Sequence, residues 1–340
     1  MFKRFSILIS AFFYFLFPLK VFAHENYVLT KQQIDNGMND YSLNILDSLK
    51  NPENLKIGVF VTFGLIILMI SYFFFQKSKY GLILHEKLEK LESFGAFLIR
   101  IAIGFSFLYS AFTNVYLGPE IPTSSLLFGN LIHFSLFIIG FLLILGLLNN
   151  LTGFLSLLII LIATITYKDY MITYFNYYGE FIALMLFGST FLAFDKFLPD
   201  IVGKFTKNLK KFEIPILRIT YGVSVLYPAI SIKILHPIII VGIVNKYHLE
   251  KLNWLFPSDP LLISLGTGLA QILVGLLLIV GFETRLASFL TFLLYVGSVI
   301  FFKEVVWPHY ILLALALYFV INNGGKYTLD EIFIKKWKKS

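Results

Sequence analysis

Two ionisable side chains stand where uncharged stretches begin, and either could carry a proton. Glu180 opens a run without charge that continues to Phe194, and His309 opens one that continues to Gly325. Such groups are costly inside a membrane helix, so one found there is a candidate proton carrier, metal ligand or quinone contact. The alternative is a helix-start residue wetted by the membrane interface. Glu180 and His309 form the first candidate site pair.

Two arginines begin two copies of one pattern, in which a glycine follows four residues later. Arg100 precedes Gly104, and Arg218 precedes Gly222. A guanidinium offers a planar fork of donors to an anionic substrate or to a quinone carbonyl. Alternatively, each arginine anchors its helix by reaching lipid phosphate at the membrane surface. The repetition indicates a structural need in both copies and leaves both alternatives open.

Other polar residues are expected near the same end of the helices as the first pair. Gln271, His133 and Tyr178 are the most plausible partners there. The six histidines show no ligand spacing on a single helix, which favours scatter among outer loops over a metal site. His24 is a weak metal candidate, because after cleavage of a leader its free amine and imidazole could chelate a soft metal together.

Composition identifies the class of protein. Of the 340 residues, 58% are hydrophobic and only 14% are charged, with a mean hydropathy of +0.80. These values predict an all-α, polytopic membrane protein in contact with the lipid bilayer. The net charge of +8 comes from lysines in short segments between apolar runs, which is membrane topology and not nucleic-acid binding.

Several chemistries are excluded by the sequence. The chain has no cysteine, so it forms neither disulfides nor thiolate metal sites. It contains no motif for covalent haem, for an iron–sulfur cluster, or for a phosphate-binding loop. Redox chemistry would therefore need a cofactor or a partner protein. The isolated chain resembles no self-sufficient enzyme.

An internal duplication organises the chain. Gly140–Gly146 reappears as Gly275–Gly281, and Lys168-Asp169 matches Lys303-Glu304 at the same offset. Each copy predicts a four-helix bundle, and one further apolar helix precedes them, which makes about nine transmembrane helices. The amino-terminal segment is expected outside and the carboxyl terminus inside, so the number of spans is odd. Since each repeat has four spans, both repeats enter the membrane from the same side. They are therefore parallel, related by an axis along the membrane normal.

The amino terminus has the features of a cleaved secretory signal, although an uncleaved first helix is the alternative. The lysine asymmetry predicts a bacterial cytoplasmic (inner) membrane protein with its amino-terminal segment outside and its carboxyl terminus in the cytoplasm. The predicted boundaries are 1–23 for the signal peptide, 24–56 for an extracytoplasmic segment, 57–76 for the first transmembrane helix, 77–94 for a cytoplasmic amphipathic linker, 95–200 for the first repeat, 201–214 for a basic cytoplasmic linker, 215–331 for the second repeat and 332–340 for a basic cytoplasmic tail.

These features resemble the DoxX family of four-helix membrane proteins. The resemblance rests on the Arg-x3-Gly openings, on 275–285 (GLLLIVGFETR), on 324–330 (GGKYTLD) and on 178–184 (YGEFIAL), and it covers roughly 95–331. It implies a role in membrane redox complexes of the thiosulfate:quinone oxidoreductase kind. This chain departs from the family at Gln271, where an acidic residue is common, so carboxylate chemistry is not carried over to that position.

Three functional hypotheses follow. The first is a non-autonomous membrane subunit of a quinone-linked redox complex, related to sulfur chemistry or oxidative stress, with quinone as the cofactor and a membrane or peripheral redox protein as the partner. The second is a small-solute or ion transporter built from duplicated halves. The third is a membrane anchor or assembly factor.

Overall fold

A computed structural model describes residues 28–187, 191–197, 208–252, 256–302 and 307–332. The predicted signal at 1–23, the candidate His24 and nearly all of the basic tail lie outside these residues. The chain divides into two compact units. One consists of Met1–Gly58 with Val225–Ile272, and the other of Val59–Ser224 with Leu273–Ser340.

Helices dominate the described residues, as the composition predicts, and a two-stranded hairpin is the addition that the sequence did not indicate. The helices are α1 (Lys31–Asn39), α2 (Pro52–Phe75), α3 (Lys79–Glu89), α4 (Glu92–Thr113), α5 (Gly129–Leu145), α6 (Asn149–Tyr167), α7 (Phe175–Phe187), α8 (Glu213–Pro228), α9 (Pro237–Tyr247), α10 (Pro260–Val280), α11 (Thr284–Phe302) and α12 (Trp307–Asn322), and the strands are β1 (Val115–Tyr116) and β2 (Gly118–Pro122).

In the described part of the chain, six helical segments are long and apolar enough to cross a membrane. This indicates a multi-pass membrane protein. Three further apolar helices, α5, α9 and α12, are shorter. The six segments are Pro52–Phe75, Glu92–Thr113, Asn149–Phe187, Lys210–Ile234, Pro260–Val280 and Thr284–Phe301.

The smaller unit joins α1 to α9. Helix α1 begins with a capping box, in which the Thr30 hydroxyl accepts from the backbone N–H of Gln33 and the Gln33 side chain accepts from that of Thr30. Its Gly37 lies against α9, where a Cβ would stand 2.6 Å from the Ile239 side chain. At the start of α2, the Asn54 amide donates to the carboxylate of Asp259. These contacts tie sequence-distant segments into one unit.

The larger unit contains two close helix crossings of the same kind. In α4 and α5, a Cβ on Gly104 would lie 3.1 Å from the Gly140 carbonyl oxygen. In α8 and α10, a Cβ on Gly222 would lie 2.8 Å from the Gly275 carbonyl oxygen. Small residues let helix backbones approach this closely, which is a common source of stability between membrane helices.

Further contacts connect the sequence segments within this unit. Helix α12 packs against α4, and α6 packs against α7. Gly179 of α7 faces Thr220 of α8 so closely that an added Cβ would overlap the threonine hydroxyl. In contrast, the apolar window of α2 has no buried residue, and Phe60 is 80% exposed. An all-round apolar surface of this kind is suited to lipid.

We expect Gly140→Ala to destabilise the protein, because the new methyl group would meet the backbone atoms of Gly104 and Leu108, which cannot move away cheaply. The expected loss is about 1 to 3 kcal/mol. The apparent thermal midpoint in detergent, followed by tryptophan fluorescence, measures it.

Gly297→Ala in α11 is the matched control, because a Cβ there has no atom within 4 Å. That substitution is expected to be neutral or to stabilise the helix by up to about 1 kcal/mol. An equal midpoint for the two variants would contradict the close crossing of α4 and α5.

Candidate functional site

Arg100 is buried, with 0% of its surface exposed, and its guanidinium binds backbone carbonyl groups. Nη1 donates to the carbonyl oxygens of Leu143 (2.9 Å) and Ile144 (3.4 Å), in the last turn of α5. Nη2 donates to those of Phe191 (3.1 Å) and Leu192 (3.2 Å), beyond α7. One side chain therefore caps the carboxyl end of one helix and binds the segment that follows another.

Arg218 repeats this arrangement in the second copy. Its exposed fraction is 1%. Nη1 donates to the carbonyl oxygens of Leu278 (2.9 Å) and Ile279 (3.2 Å), in the last turn of α10, and Nη2 donates to that of Tyr327 (3.1 Å), beyond α12. Both arginines thus bind the protein backbone. They do not reach out to lipid phosphate, which was one of the two alternatives from the sequence.

A glycine and an aspartate complete each arginine cap. Gly146 has φ +67° and Gly281 has φ +68°, and in both a Cβ would lie 2.0 Å from the arginine Nη1. The aspartates follow at the same 135-residue offset as the glycines. The Asp195 amide donates to the Gly146 carbonyl (3.0 Å), and the Asp330 amide donates to the Gly281 carbonyl (3.2 Å). Only a glycine fits between the end of the helix and the guanidinium, because a Cβ would overlap the arginine.

Each aspartate also caps the helix that starts at this turn. The Asp195 carboxylate accepts from the backbone amides of Leu148 and Asn149 at the start of α6. The Asp330 carboxylate accepts from the backbone amide of Glu283 (3.1 Å) at the start of α11. A carboxylate at a helix amino terminus satisfies free N–H groups and opposes the helix dipole. The arginine therefore caps the helix that ends at this turn, and the aspartate caps the helix that starts after it.

The two turns differ in the residue at position 283, which is a glutamate. Leu148 occupies the equivalent position in the first copy, and both residues have positive φ, 54° and 47°. Glu283 is 1% exposed, and neither carboxylate oxygen makes a hydrogen bond to a described residue. Burial, followed by the neighbouring Asp330 carboxylate, raises the pKa of Glu283 to about 7. Burial also raises the pKa of Asp330, against the effect of its backbone hydrogen bonds and of Arg218.

Glu180 is fully buried in α7, with 0% of its surface exposed. Its Oε1 accepts from the side-chain amide of Asn176 at 2.8 Å, one turn earlier. Its Oε2 is buried without a hydrogen bond to any described residue. The hydroxyls of Tyr177 and Tyr221 lie near enough to interact electrostatically with this carboxyl group. Glu180 therefore faces the protein interior with one acceptor atom unused.

His309 is also buried, with 3% exposed, and its ring lies 6.0 Å from that of Tyr295 between centroids. At the 135-residue offset that relates the two caps, Glu180 corresponds to Leu315 and His309 to Tyr174. The two candidates are thus separate features of the two copies.

The other candidate residues fall at different places. Tyr178 and Thr164 share a hydrogen bond between hydroxyls, and neither contacts Glu180 by hydrogen bonding. His133, in α5, is half-buried and its Nδ1 has no hydrogen-bond partner among the described residues. Gln271 is half-buried in the smaller unit, and its Oε1 is likewise without such a partner. The expectation that these residues are partners of Glu180 and His309 stays a prediction.

Sequence reasoning missed the hydroxyls around Glu180. Tyr177 is 1% exposed, and Ser106 of α4 lies beside it, 2% exposed. Neither hydroxyl makes a hydrogen bond of normal length to a described residue. The signal was present in the spacing of Tyr170, Tyr174 and Tyr177, because residues three and four apart share a helix face. The aromatic richness of this stretch instead favoured an interfacial belt.

The described residues contain no group of three or more histidine, aspartate or glutamate side chains that could hold a metal ion. Comparisons with protein-family models, with curated proteins and with solved structures found no match to this chain. The side chains around Glu180 are therefore the basis for a functional conclusion.

We expect Arg100→Met to destabilise the protein, because it leaves the helix-end carbonyl groups of Leu143 and Phe191 without their donor. The expected loss is on the order of 2 to 4 kcal/mol. Arg100→Lys should recover only part of it, since an ammonium group lacks the planar fork. The exposed Lys56→Met is the control. A stability of Arg100→Met equal to that of wild type would contradict the capping role.

Glu283 gives a pH-dependent prediction. Because its folded-state pKa is raised, its contribution to stability is full below pH 4.5 and is lost as the pH rises through about 7. Glu283→Gln should therefore raise the thermal midpoint at pH 8, through a gain on the order of 1 to 2 kcal/mol in the free energy of unfolding after allowance for solvent screening. It should have little effect at pH 5. Glu53→Gln, at an exposed site, should show no such difference. An unchanged pH profile would contradict the assignment.

Proposed function

We propose that this chain is a membrane subunit of a quinone-linked redox complex, and that Glu180 exchanges the proton that accompanies the redox reaction. One observation carries the proposal. It is the buried carboxyl group of Glu180, with one oxygen unused, near the buried hydroxyl of Tyr177, which in turn lies beside the hydroxyl of Ser106. Buried polar groups without partners are rare in proteins and mark functional sites when they cluster.

The proposal includes two DoxX-like four-helix halves and nine transmembrane helices. The recurrence of the arginine, glycine and aspartate caps at matching positions supports the duplication. The long segment Asn149–Phe187 contains two helices, α6 and α7, and the shorter α5 and α12 take the matching places in the halves. With α2, the halves α4 to α7 and α8 with α10 to α12 make nine.

The proposed setting is the cytoplasmic (inner) membrane of a bacterium. The lysines of the linker and of the tail support a cytoplasmic location for the arginine-capped ends of the helices. The hairpin β1–β2 and the turn between α6 and α7 are then on the outer side. Cysteines introduced at Ser42 and Ser340 of this cysteine-free chain test the orientation, since they should label from opposite sides of the membrane.

The residues near Glu180 suit a quinone. When bound, a quinone supplies two-electron chemistry that is coupled to protons, and its carbonyl oxygens need hydrogen-bond donors. The hydroxyls of Ser106 and Tyr177 lie side by side, and neither makes a hydrogen bond of normal length to another described residue. The Glu180 carboxyl group can accept or donate a proton at Oε2 while Oε1 keeps its hydrogen bond to Asn176. The electrons would come from a partner protein, because the chain has no motif for a redox centre.

The packing around the site excludes water and orients these groups. Phe107 and Phe181 are both 0% exposed, and their rings lie 5.6 Å apart between centroids, joining α4 to α7. Tyr221 is fixed from the other side, because its hydroxyl donates to the Leu312 carbonyl oxygen at 3.0 Å. In such a dry site a hydrogen bond is stronger than in water.

The experiment is quinone binding by the full-length protein in nanodiscs, with a short-chain ubiquinone as the probe. We expect wild type to bind it, and Ser106→Ala to weaken binding about 3- to 10-fold through the loss of one buried donor. Glu180→Gln should keep most of the binding, because the amide retains the shape of the side chain. The matched control is Ser135→Ala, whose hydroxyl donates within α5 to the Leu131 carbonyl oxygen.

A different result would favour a different class. If wild type binds no quinone and retains none through purification, the redox proposal is wrong. If the full-length protein reconstituted in sealed lipid vesicles shows a solute-dependent proton flux that Glu180→Gln abolishes, a proton-coupled transporter is the better description. The buried carboxyl group specifically supports this second candidate, because such groups also carry protons in transporters.

A further inference from the structure

A second carboxyl group lies toward the other end of the tyrosine-rich stretch. Glu120 of β2 is partly buried, and its Oε1 accepts hydrogen bonds from the hydroxyl of Tyr170 (3.0 Å) and from that of Tyr174. Both tyrosines belong to the turn that joins α6 to α7. In the proposed orientation this hairpin and this turn are on the outer side. Glu120 is thus an ionisable group near the outer surface, bound to one face of the segment that leads to Glu180.

Tyrosines continue from Glu120 toward the interior. The ring of Tyr174 lies 6.2 Å from that of Tyr170 and 5.9 Å from that of Tyr177, between centroids. Tyr174 is 0% and Tyr177 is 1% exposed. These ring distances place the three side chains in one continuous series. This burial argues against the interfacial belt for these two tyrosines, because belt residues lie at the lipid headgroups.

Tyr177 occupies the middle of this series. Its hydroxyl lies within electrostatic range of the carboxyl groups of both Glu180 and Glu120, and beside the hydroxyl of Ser106. Tyr116 of β1, also 0% exposed, is close to Tyr177 as well. The other ionisable groups that face this region are Tyr178 and Tyr221. Acidic groups therefore stand at both ends, with hydroxyl groups between them.

We propose that Glu120, Tyr174 and Tyr177 form a route for protons between the outer side of the protein and Glu180. A proton arrives at the Glu120 carboxylate, each hydroxyl accepts a proton on its oxygen and passes its own proton inward, and Glu180 receives one at Oε2. No heavy-atom bond forms or breaks, and rotation of the hydroxyls restores the starting state. The inference rests on the proposed proton exchange at Glu180 and assigns its source to the outer side.

The residues of this route do not recur in the sequence of the second half at the offset that relates the two caps. At the 135-residue offset, Tyr174 corresponds to His309, Tyr177 to Leu312 and Glu180 to Leu315. Two of the three polar positions are therefore leucine in the second half, and both leucines are buried. The route is therefore not a consequence of the helix arrangement and caps that the two halves have in common.

The test uses quinone-free protein in nanodiscs that is transferred rapidly to D₂O. Infrared spectroscopy then follows the carbonyl band of the Glu180 carboxyl group, which is identified by its absence in Glu180→Gln. We expect Tyr177→Phe, which removes one hydroxyl and keeps the ring, to slow deuterium exchange of this band by an order of magnitude or more. Glu120→Gln, near the surface, should slow it too and serves as the variant least able to disturb folding. Tyr167→Phe is the control, because its hydroxyl bonds to Ser125, off the route.

Exchange at the wild-type rate in both Tyr177→Phe and Glu120→Gln would overturn the route. The absence of any protonated Glu180 band across the accessible pH range would overturn it as well, because the group then exchanges no proton. Quinone binding in the same samples keeps the two proposals apart. If both variants exchange at the wild-type rate and bind the short-chain ubiquinone normally, the route is refuted and the redox proposal stands.

Discussion

The structure depends on how helix ends are satisfied within an apolar environment. The last carbonyl groups of a helix have no intrahelical donor, and in a bilayer no water replaces it. Arg100 and Arg218 supply the donors from a neighbouring helix, and each also binds the segment beyond the fourth helix of its copy. A guanidinium with several fixed N–H groups can bind two such segments at once. Each arginine therefore joins backbone segments that lie far apart in the sequence.

The same constraint explains why glycine and aspartate accompany each arginine. The guanidinium approaches the turn so closely that a Cβ at Gly146 or Gly281 would overlap it. The turn must also reverse the chain within three residues, and an aspartate satisfies the amides that start the next helix. Glu283 is the exception, because it adds a buried carboxyl group where the first copy has Leu148. Its raised pKa makes this end of the second copy sensitive to pH near neutrality.

The caps lie at one end of the helices, and at the opposite end the residues of the two segments differ. There the first copy carries Glu120, the tyrosines and Glu180, whereas the second copy has leucine at the place of Glu180. Matching caps are therefore compatible with different residues at the opposite ends of the two segments. The helix crossings at Gly104 and Gly222 are compatible with this, since they use small residues and no polar side chain of the site.

Composition and apolar run length determined the helical membrane class, because a bilayer requires long runs of apolar residues. Spacing alone also identified Arg100, Arg218 and Glu180 as residues of note, since charges are rare in such runs. Only the tertiary structure decided what they do. The partners of Arg100 lie more than forty residues away at Leu143 and Phe191, and Tyr221 on another helix lies within electrostatic range of Glu180. Periodicity records which residues share a face, whereas the choice of neighbouring helix depends on packing that no local pattern contains.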